Sequence, residues 1–393
     1  MKRVNVILVI LILVAAGCGK TNRSTDDFIT VDVTASYPKT ELMLQDFADV
    51  EYIPLQTTDS FVSQGIVMAI GKNYILVKNE IQDGDIFVFD RNGKAIRKIN
   101  HLGQGPEDYT GIAGIVLDED NDEIFVNNEF AKKIIVYDLN GNFKRYFQHR
   151  EGYPYRTEIY SFDNQSLICY DSSFDPSDTS EKAPFIIISK LDGSTVNEIH
   201  IPYAKKIIPF VSFTIEYEGN DVPVGMGYRF FPIIPYQGDW ILSEPSTDTL
   251  FRYQSDNKMV PFIIRTPSVQ SMNPEVFLFP KILTNRYYFI ETVVEEYNGS
   301  IKKAFPTVDL AYDTQEKALY EATVYNNDYT RKQVVDMKLQ TIKDNEIIFS
   351  NKIEAGELVD DYEKGLLTGR LKEIAAKLDA EDNPVIMLVK QKK

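Results

Sequence analysis

A pair of short β-rich runs recurs along the chain, and this recurrence limits the possible folds more than any other feature. Tyr74-Ile75-Leu76-Val77-Lys78-Asn79 returns 49 residues later as Glu123-Ile124-Phe125-Val126-Asn127-Asn128. Ile86-Phe87-Val88-Phe89-Asp90-Arg91-Asn92-Gly93 returns after 48 as Ile134-Ile135-Val136-Tyr137-Asp138-Leu139-Asn140-Gly141. Each unit closes on Asn-Gly, a strong turn signal between strands. The pattern then decays but persists. Leu167 to Tyr170 is expected to pair with Phe185 to Ile188, which ends in Asp192-Gly193, and Trp240 to Leu242 with Leu250 to Tyr253. Tyr288 to Ile290 is expected to pair with Val308 to Tyr312, and Ile347 to Phe349 with Val385 to Val389. Six units with second strands starting near residues 75, 124, 167, 241, 288 and 347 give a spacing of about 54.

Repeats of this length with several strands each are the mark of propeller blades. Ile86 to Phe89 and Phe185 to Ile188 are apolar at every position rather than at alternate ones. A sheet with one wet face would alternate, so both faces of these strands are covered, as when a blade lies between two neighbours. A β-sandwich with buried central strands is the rival arrangement. The expectation is an all-β fold, one six-bladed propeller over residues 45–393, with the N-terminal strand around Tyr52 pairing with the last unit to close the ring. Between Glu357 and Asp379 the rhythm becomes helical, with Leu367, Leu371, Ile374, Ala375 and Leu378 on one stripe. One amphipathic helix is therefore expected as an insertion in the sixth unit, packed on the propeller.

The first residues read as an address. Lys2 and Arg3 precede an unbroken apolar run, Val6 to Ala16, which is shorter than the ~20 residues a helix needs to span a bilayer. It ends in Ala15-Ala16-Gly17-Cys18, which resembles a bacterial lipobox, with Ala15 where Leu is usual. Cleavage after residue 17 and acylation of Cys18 would leave residues 18–44 as a lipidated tether and N-terminal segment. It would take the net charge from −16 to −18, with 40 basic against 58 acidic residues. Two or three acyl chains anchor stably, since each buried methylene contributes about 0.8 kcal/mol. The expected partner is a membrane, and the expected location is the outer membrane or cell surface. Cys169 is left without an intrachain partner and reads as a buried strand residue.

Several segments resemble a family of six-bladed β-propeller lipoproteins common in Bacteroidetes. Val50-Glu51-Tyr52-Ile53-Pro54-Leu55-Gln56-Thr57 is similar to its opening strand, and Val88-Phe89-Asp90-Arg91-Asn92-Gly93-Lys94 to its turn. Gly103-Gln104-Gly105-Pro106-Glu107-Asp108-Tyr109 resembles its glycine loop, with Glu107-Asp108 where Gly-Glu is usual, and Asn383-Pro384-Val385 is also familial. The resemblance covers essentially the mature chain. It implies the fold and the anchor, and no established reaction or catalytic residue.

The chemistry is read mostly by exclusion. Acidic excess argues against a nucleic-acid partner, which needs clustered positive charge. Three histidines argue against a multi-histidine metal centre, and no nucleophile, zinc or cofactor motif is present. The glycine loop lacks the Lys-Ser/Thr of a phosphate loop and reads as an inter-blade turn. Asp118 to Asp122 with Glu129 imitates calcium-loop spacing, but Glu123 stands where that loop needs glycine, so it reads as an acidic turn. Aromatic–arginine clusters remain, around Arg156, Tyr228-Arg229 and Arg286. Such clusters stack on sugars or grip carboxylates, or else belong to blade cores. The ligand-binding candidates are Tyr109, Arg156, Tyr228, Arg229 and Arg286, of which at least three are expected to share one face and one pocket and to take an anionic ligand. No cofactor, metal or catalytic residue is assigned. The functional expectation is a binding or scaffold module for a glycan, peptide or partner protein. The alternative is a propeller-fold hydrolase or lyase acting on glycans or peptides.

Overall fold

A computed structural model describes residues 28–151, 159–171, 183–299, 303–337 and 346–392. Six sheets follow one another around a ring. The first blade is Ile66–Ile70, Tyr74–Lys78, Asp85–Asp90 and Ala95–Asn100, hydrogen-bonded in that order. The second, from Gly114–Asp118 to Phe143–Gln148, and the third, from Ile159–Ser161 to Thr195–Ile199, repeat this simple antiparallel order. The fourth runs from Ile233–Tyr236 to Met259–Thr266 and the fifth from Val276–Leu283 to Ala318–Asn326. Every strand pairing expected from the repeats is present, including Tyr288 opposite Tyr312 and Trp240 opposite Tyr253.

Three strands near the N-terminus, β1 (Ile29–Asp32), β2 (Lys39–Met43) and β3 (Ala48–Pro54), join the blades that the end of the chain builds. β3 pairs antiparallel with Val385–Gln391, setting Tyr52 opposite Met387 and completing the sixth sheet beside Ile347–Ile353. The ring is thus closed by the strand expected to close it. β1 and β2 were not foreseen as strands. They lie parallel to the outer strands of blades four and five, Ile29 against Ile263 and Lys39 against Glu321. Residues 29–43, allotted above to the N-terminal segment, therefore add a fifth strand to each of two blades. Ile29-Thr30-Val31-Asp32-Val33 does alternate, but the run is short and stands outside the repeats, so nothing in the sequence tied it to a blade.

The continuous apolar strands are explained by what covers each face. In Ile86–Phe89, Phe87 and Phe89 enter a core shared with Ile53, Ile386 and Leu388 of the sixth blade. Ile86 and Val88 enter another, with Ile124, Val126 and Ile135 of the second. Alternate residues of one strand thus serve two inter-blade cores. The Asn-Gly turns have a second use. Asp90 Oδ1 accepts from the amides of Asn92 and Lys94, and Gly93 sits at φ 82°. A Cβ there would lie 2.1 Å from the Pro54 carbonyl oxygen, so the turn of one blade presses on the outer strand of the blade before. Gly141 against Ile99 and Gly193 against Phe147 repeat the contact.

The expected single helix is two helices. α1 (Leu44–Phe47) links β2 to β3, and α2 (Ala355–Glu363) and α3 (Gly369–Ala375) form the insertion. Gly365, at φ 69°, ends the first of the pair, because a left-handed residue stops an α-helix cheaply only at glycine. The linker then binds a neighbouring crossover, with Thr330 N donating to Leu366 O and Thr368 N to Asp328 O. Leu358, Leu371 and Ile374 are buried in the core of blades four to six, so the stripe does pack on the propeller.

Candidate functional site

Strand alternation gives the ring two rims. On the crossover rim the chain passes from blade to blade, and the second strand of a blade meets the third. On the turn rim the first strand meets the second and the third meets the fourth. Tyr109, Tyr228 and Arg229 lie in crossovers, whereas Arg286 lies in the first turn of blade five, on the opposite rim. Arg156 and Cys18 fall outside the described residues.

Tyr109 is fully buried. Its hydroxyl donates to Gly84 O at 2.6 Å and accepts from His101 N at 3.0 Å, and Tyr137 OH donates to Glu107 O in the same loop. The glycine loop is therefore an inter-blade staple, and Tyr109 has no face for a ligand. Burial pushes its phenol up to about 12. Arg286 is paired to Asp313 at 3.0 Å and lies over the Tyr287 ring. Tyr228 stacks on Phe279 and donates to Glu291 Oε1 at 2.7 Å. Arg229 is exposed, over Phe231. The structure thus does not gather the four described candidates into one pocket, and the expected arginine cluster is not formed by them. An aromatic–arginine pair within a sequence does not tell which rim its turn will occupy.

Sequence reasoning did not find the large concavity. Beneath α2, between blades five and six, opens a cleft of about 580 Å³. Its walls come from the crossover after Asn326, from the end of Ile347–Ile353 and from the helix itself. The helix face brings Glu357, Asp360, Asp361 and Lys364, and the crossover brings Tyr329, Arg331, Gln333 and Asp336. With Lys352 added, three cations stand against four carboxylates. Arg331 reaches Asp361 at 2.9 Å, and Lys364 reaches Asp360 at 3.4 Å. Asn351 donates to Asp336 O at 3.2 Å. Burial, and then the Asp361 charge, push the Tyr329 phenol up to about 12, so it stays a donor at neutral pH. A cleft of this kind has donors and acceptors of both signs, half-buried aromatic surface and little net charge. It can hold a hydroxyl- or amide-bearing ligand by many hydrogen bonds. The only sequence signal pointing here was the break in β rhythm that marked the insertion.

A second hollow of about 220 Å³ shares Val334, Val335 and Asp336 with the cleft. It is more apolar, with Phe289, Leu310 and Met337, and one ammonium, Lys281, which is buried. Burial opposes that charge. Asp309 at 2.7 Å and Glu291 at 3.6 Å outweigh it and hold Lys281 above the ordinary lysine range.

Fold and cleft together define a six-bladed propeller whose crossover rim is capped by an inserted helix pair. The chain belongs to the DUF4934 family, described as a domain of unknown function, whose model matches residues 28–390. No curated protein matches the chain. Among solved structures, a Bacteroides fragilis protein described as exported is similar over 93% of this chain and 100% of its own, at 15% identity and a TM-score of 0.61. A member of the DUF4221 family from Bacteroides vulgatus is similar over 88% of this chain and 97% of its own, at 10% identity and a TM-score of 0.46. At 15% identity the likeness to the Bacteroides fragilis protein is one of fold.

Proposed function

We propose that this protein is an exported, lipid-anchored binding module that holds a glycan or peptide in the cleft beneath α2. The observation that carries this is the cleft's lining. Balanced charge, side-chain amides and the Tyr329 ring suit a neutral, hydrogen-bonding ligand better than a strongly charged one. Export and anchoring rest on the leader and Cys18, and on the likeness to a protein described as exported. The test is an array of glycans and peptides probed with mature protein. Tyr329→Phe, which keeps the ring packed on the core, and Gln333→Ala should each weaken a hit about tenfold, the loss of one good contact, without changing thermal stability. A hit untouched by both substitutions places the site elsewhere. For the anchor, Cys18→Ser should move the protein from the membrane to the soluble fraction; membrane retention of the variant would refute it.

A further inference from the structure

The crossover from blade three to blade four carries a β-hairpin that belongs to none of the six blades. Its strands, Phe210–Tyr217 and Asn220–Gly227, pair over their whole length. The turn between them is Glu218-Gly219, both at positive φ, the geometry that suits a two-residue hairpin loop. Alternation sorts its side chains sharply. The cross-strand pairs Val211–Met226, Phe213–Val224 and Ile215–Val222 share one face, with Tyr217 beyond them. Ser212, Thr214, Glu216 and Asp221 lie on the other.

The protein covers the apolar face only at its root. Val211 is buried with Phe277 and Val293, and Phe213 stacks on Tyr297 with ring centroids 3.8 Å apart. Cover is incomplete even at the root, where Met226 is 44% exposed opposite Val211, and it is lost toward the tip, where Ile215 and Val222 are 37% exposed and Tyr217 61%. A two-stranded hairpin is marginal alone in water, and a contiguous exposed apolar face marks a contact surface.

We infer that this face docks a polypeptide whose apolar side chains are flanked by lysine or arginine. The commitment to a cationic partner comes from charge. Residues 210–227 contain no Lys or Arg, while Glu218 in the turn is exposed at the end of the apolar face and Glu216 and Asp221 are exposed on the reverse side of the same tip, within reach of long cationic side chains that flank a docked segment. A second copy would bring these acids together on two chains that each carry −16, and an anionic lipid surface would be repelled in the same way. Recognition is by the face rather than by strand addition. Pro223 interrupts one strand with no N–H to donate, and Phe210 N already donates to Glu295 at 3.2 Å.

The probe is a short amphipathic peptide of leucine and lysine, labelled and titrated with mature protein by fluorescence anisotropy. A leucine–glutamate peptide of the same pattern and anionic vesicles serve as comparisons. The leucine–lysine peptide alone should bind. Combined Ile215→Ser, Val222→Ser and Met226→Ser should weaken it about tenfold or more. Combined Glu216→Gln, Glu218→Gln and Asp221→Asn keeps the apolar face, and should weaken binding and flatten its salt dependence. No binding, binding equal in the serine variant, or preference for the glutamate peptide or vesicles overturns the inference. So does a dimer in sedimentation that the serine variant dissolves, since the occupant is then a second copy.

Discussion

His149 is a buried base on the crossover rim, with Nε2 2.9 Å from Asn127 Oδ1. Burial, and then the Lys132 charge, depress it to about 4. The unfolded chain, with an ordinary histidine near 6.5, binds more protons between those values. The neutral imidazole therefore contributes stability that is full above 6.5 and lost as pH falls toward 4. Glu295 runs the other way in the same window, pushed up to about 7 by burial and by Glu275. Its folded form prefers the proton, so its ionisation costs stability as pH rises. Asp118 is held low by Lys190 and Asn121 against its own burial, and it acts only below the ordinary carboxylate range. A comparison with His149→Gln isolates the histidine. Between pH 7 and pH 5 the wild type should lose about 2 kcal/mol relative to the variant, read from urea midpoints. Parallel curves would mean the imidazole titrates normally. None of this was legible in the sequence, where His149 is one of three histidines and nothing marks its neighbours. Tyr109 shows the same limit: its loop was read correctly as an inter-blade turn, yet the ring was offered to a ligand, because a tyrosine's burial depends on a neighbouring blade.

At the scale of elements, the Asp-x-Asn-Gly turn was recognised for its backbone and proved also to be a contact. Gly93 and Gly219 separate the two roles. Both need positive φ, 82° and 76°, but a Cβ on Gly93 meets the Pro54 carbonyl, and a Cβ on Gly219 meets nothing within 4 Å. Gly219→Ala should cost about 1 kcal/mol, the left-handed penalty alone. Gly93→Ala should cost roughly 2–3 kcal/mol, because backbone cannot yield as a side chain does. Equal losses in denaturant titrations would show that blade contact adds nothing there. The helix pair was half legible. Its apolar stripe was visible, but the break at Gly365 depends on Thr330 and Thr368 finding partners across the insertion and crossover. The hairpin at 210–227 went unread because its alternation resembles that of any half-buried strand.

At the scale of the molecule, the blades were legible because most of each is built from strands adjacent in sequence, and closure, though it joins β3 to the far end of the chain, was legible because a ring of blades leaves one edge to be filled by the β run around Tyr52. The cleft was not, since its walls come from an insertion and a crossover that no repeat describes. β1 and β2 were missed for the same reason, being parallel to strands far along the chain. Removing residues before 48 should leave a closed ring of lower stability, since Val31 and Leu44 are fully buried; removing residues through 54 should leave the sixth blade without its outer strand. The first truncation should stay monomeric on gel filtration with a lowered melting temperature, and the second should aggregate. Similar behaviour of the two would assign closure to something other than β3. The same arrangement sets an order of events in time. Residues 29–54 are made before any blade, yet Ile29 waits for Ile263, Lys39 for Glu321 and Ala48 for Gln391. Contacts so distant in sequence form slowly. The beginning of the chain therefore remains unpaired until its end has been made, so the sheets of blades four, five and six are completed only after blades one to three have all their strands.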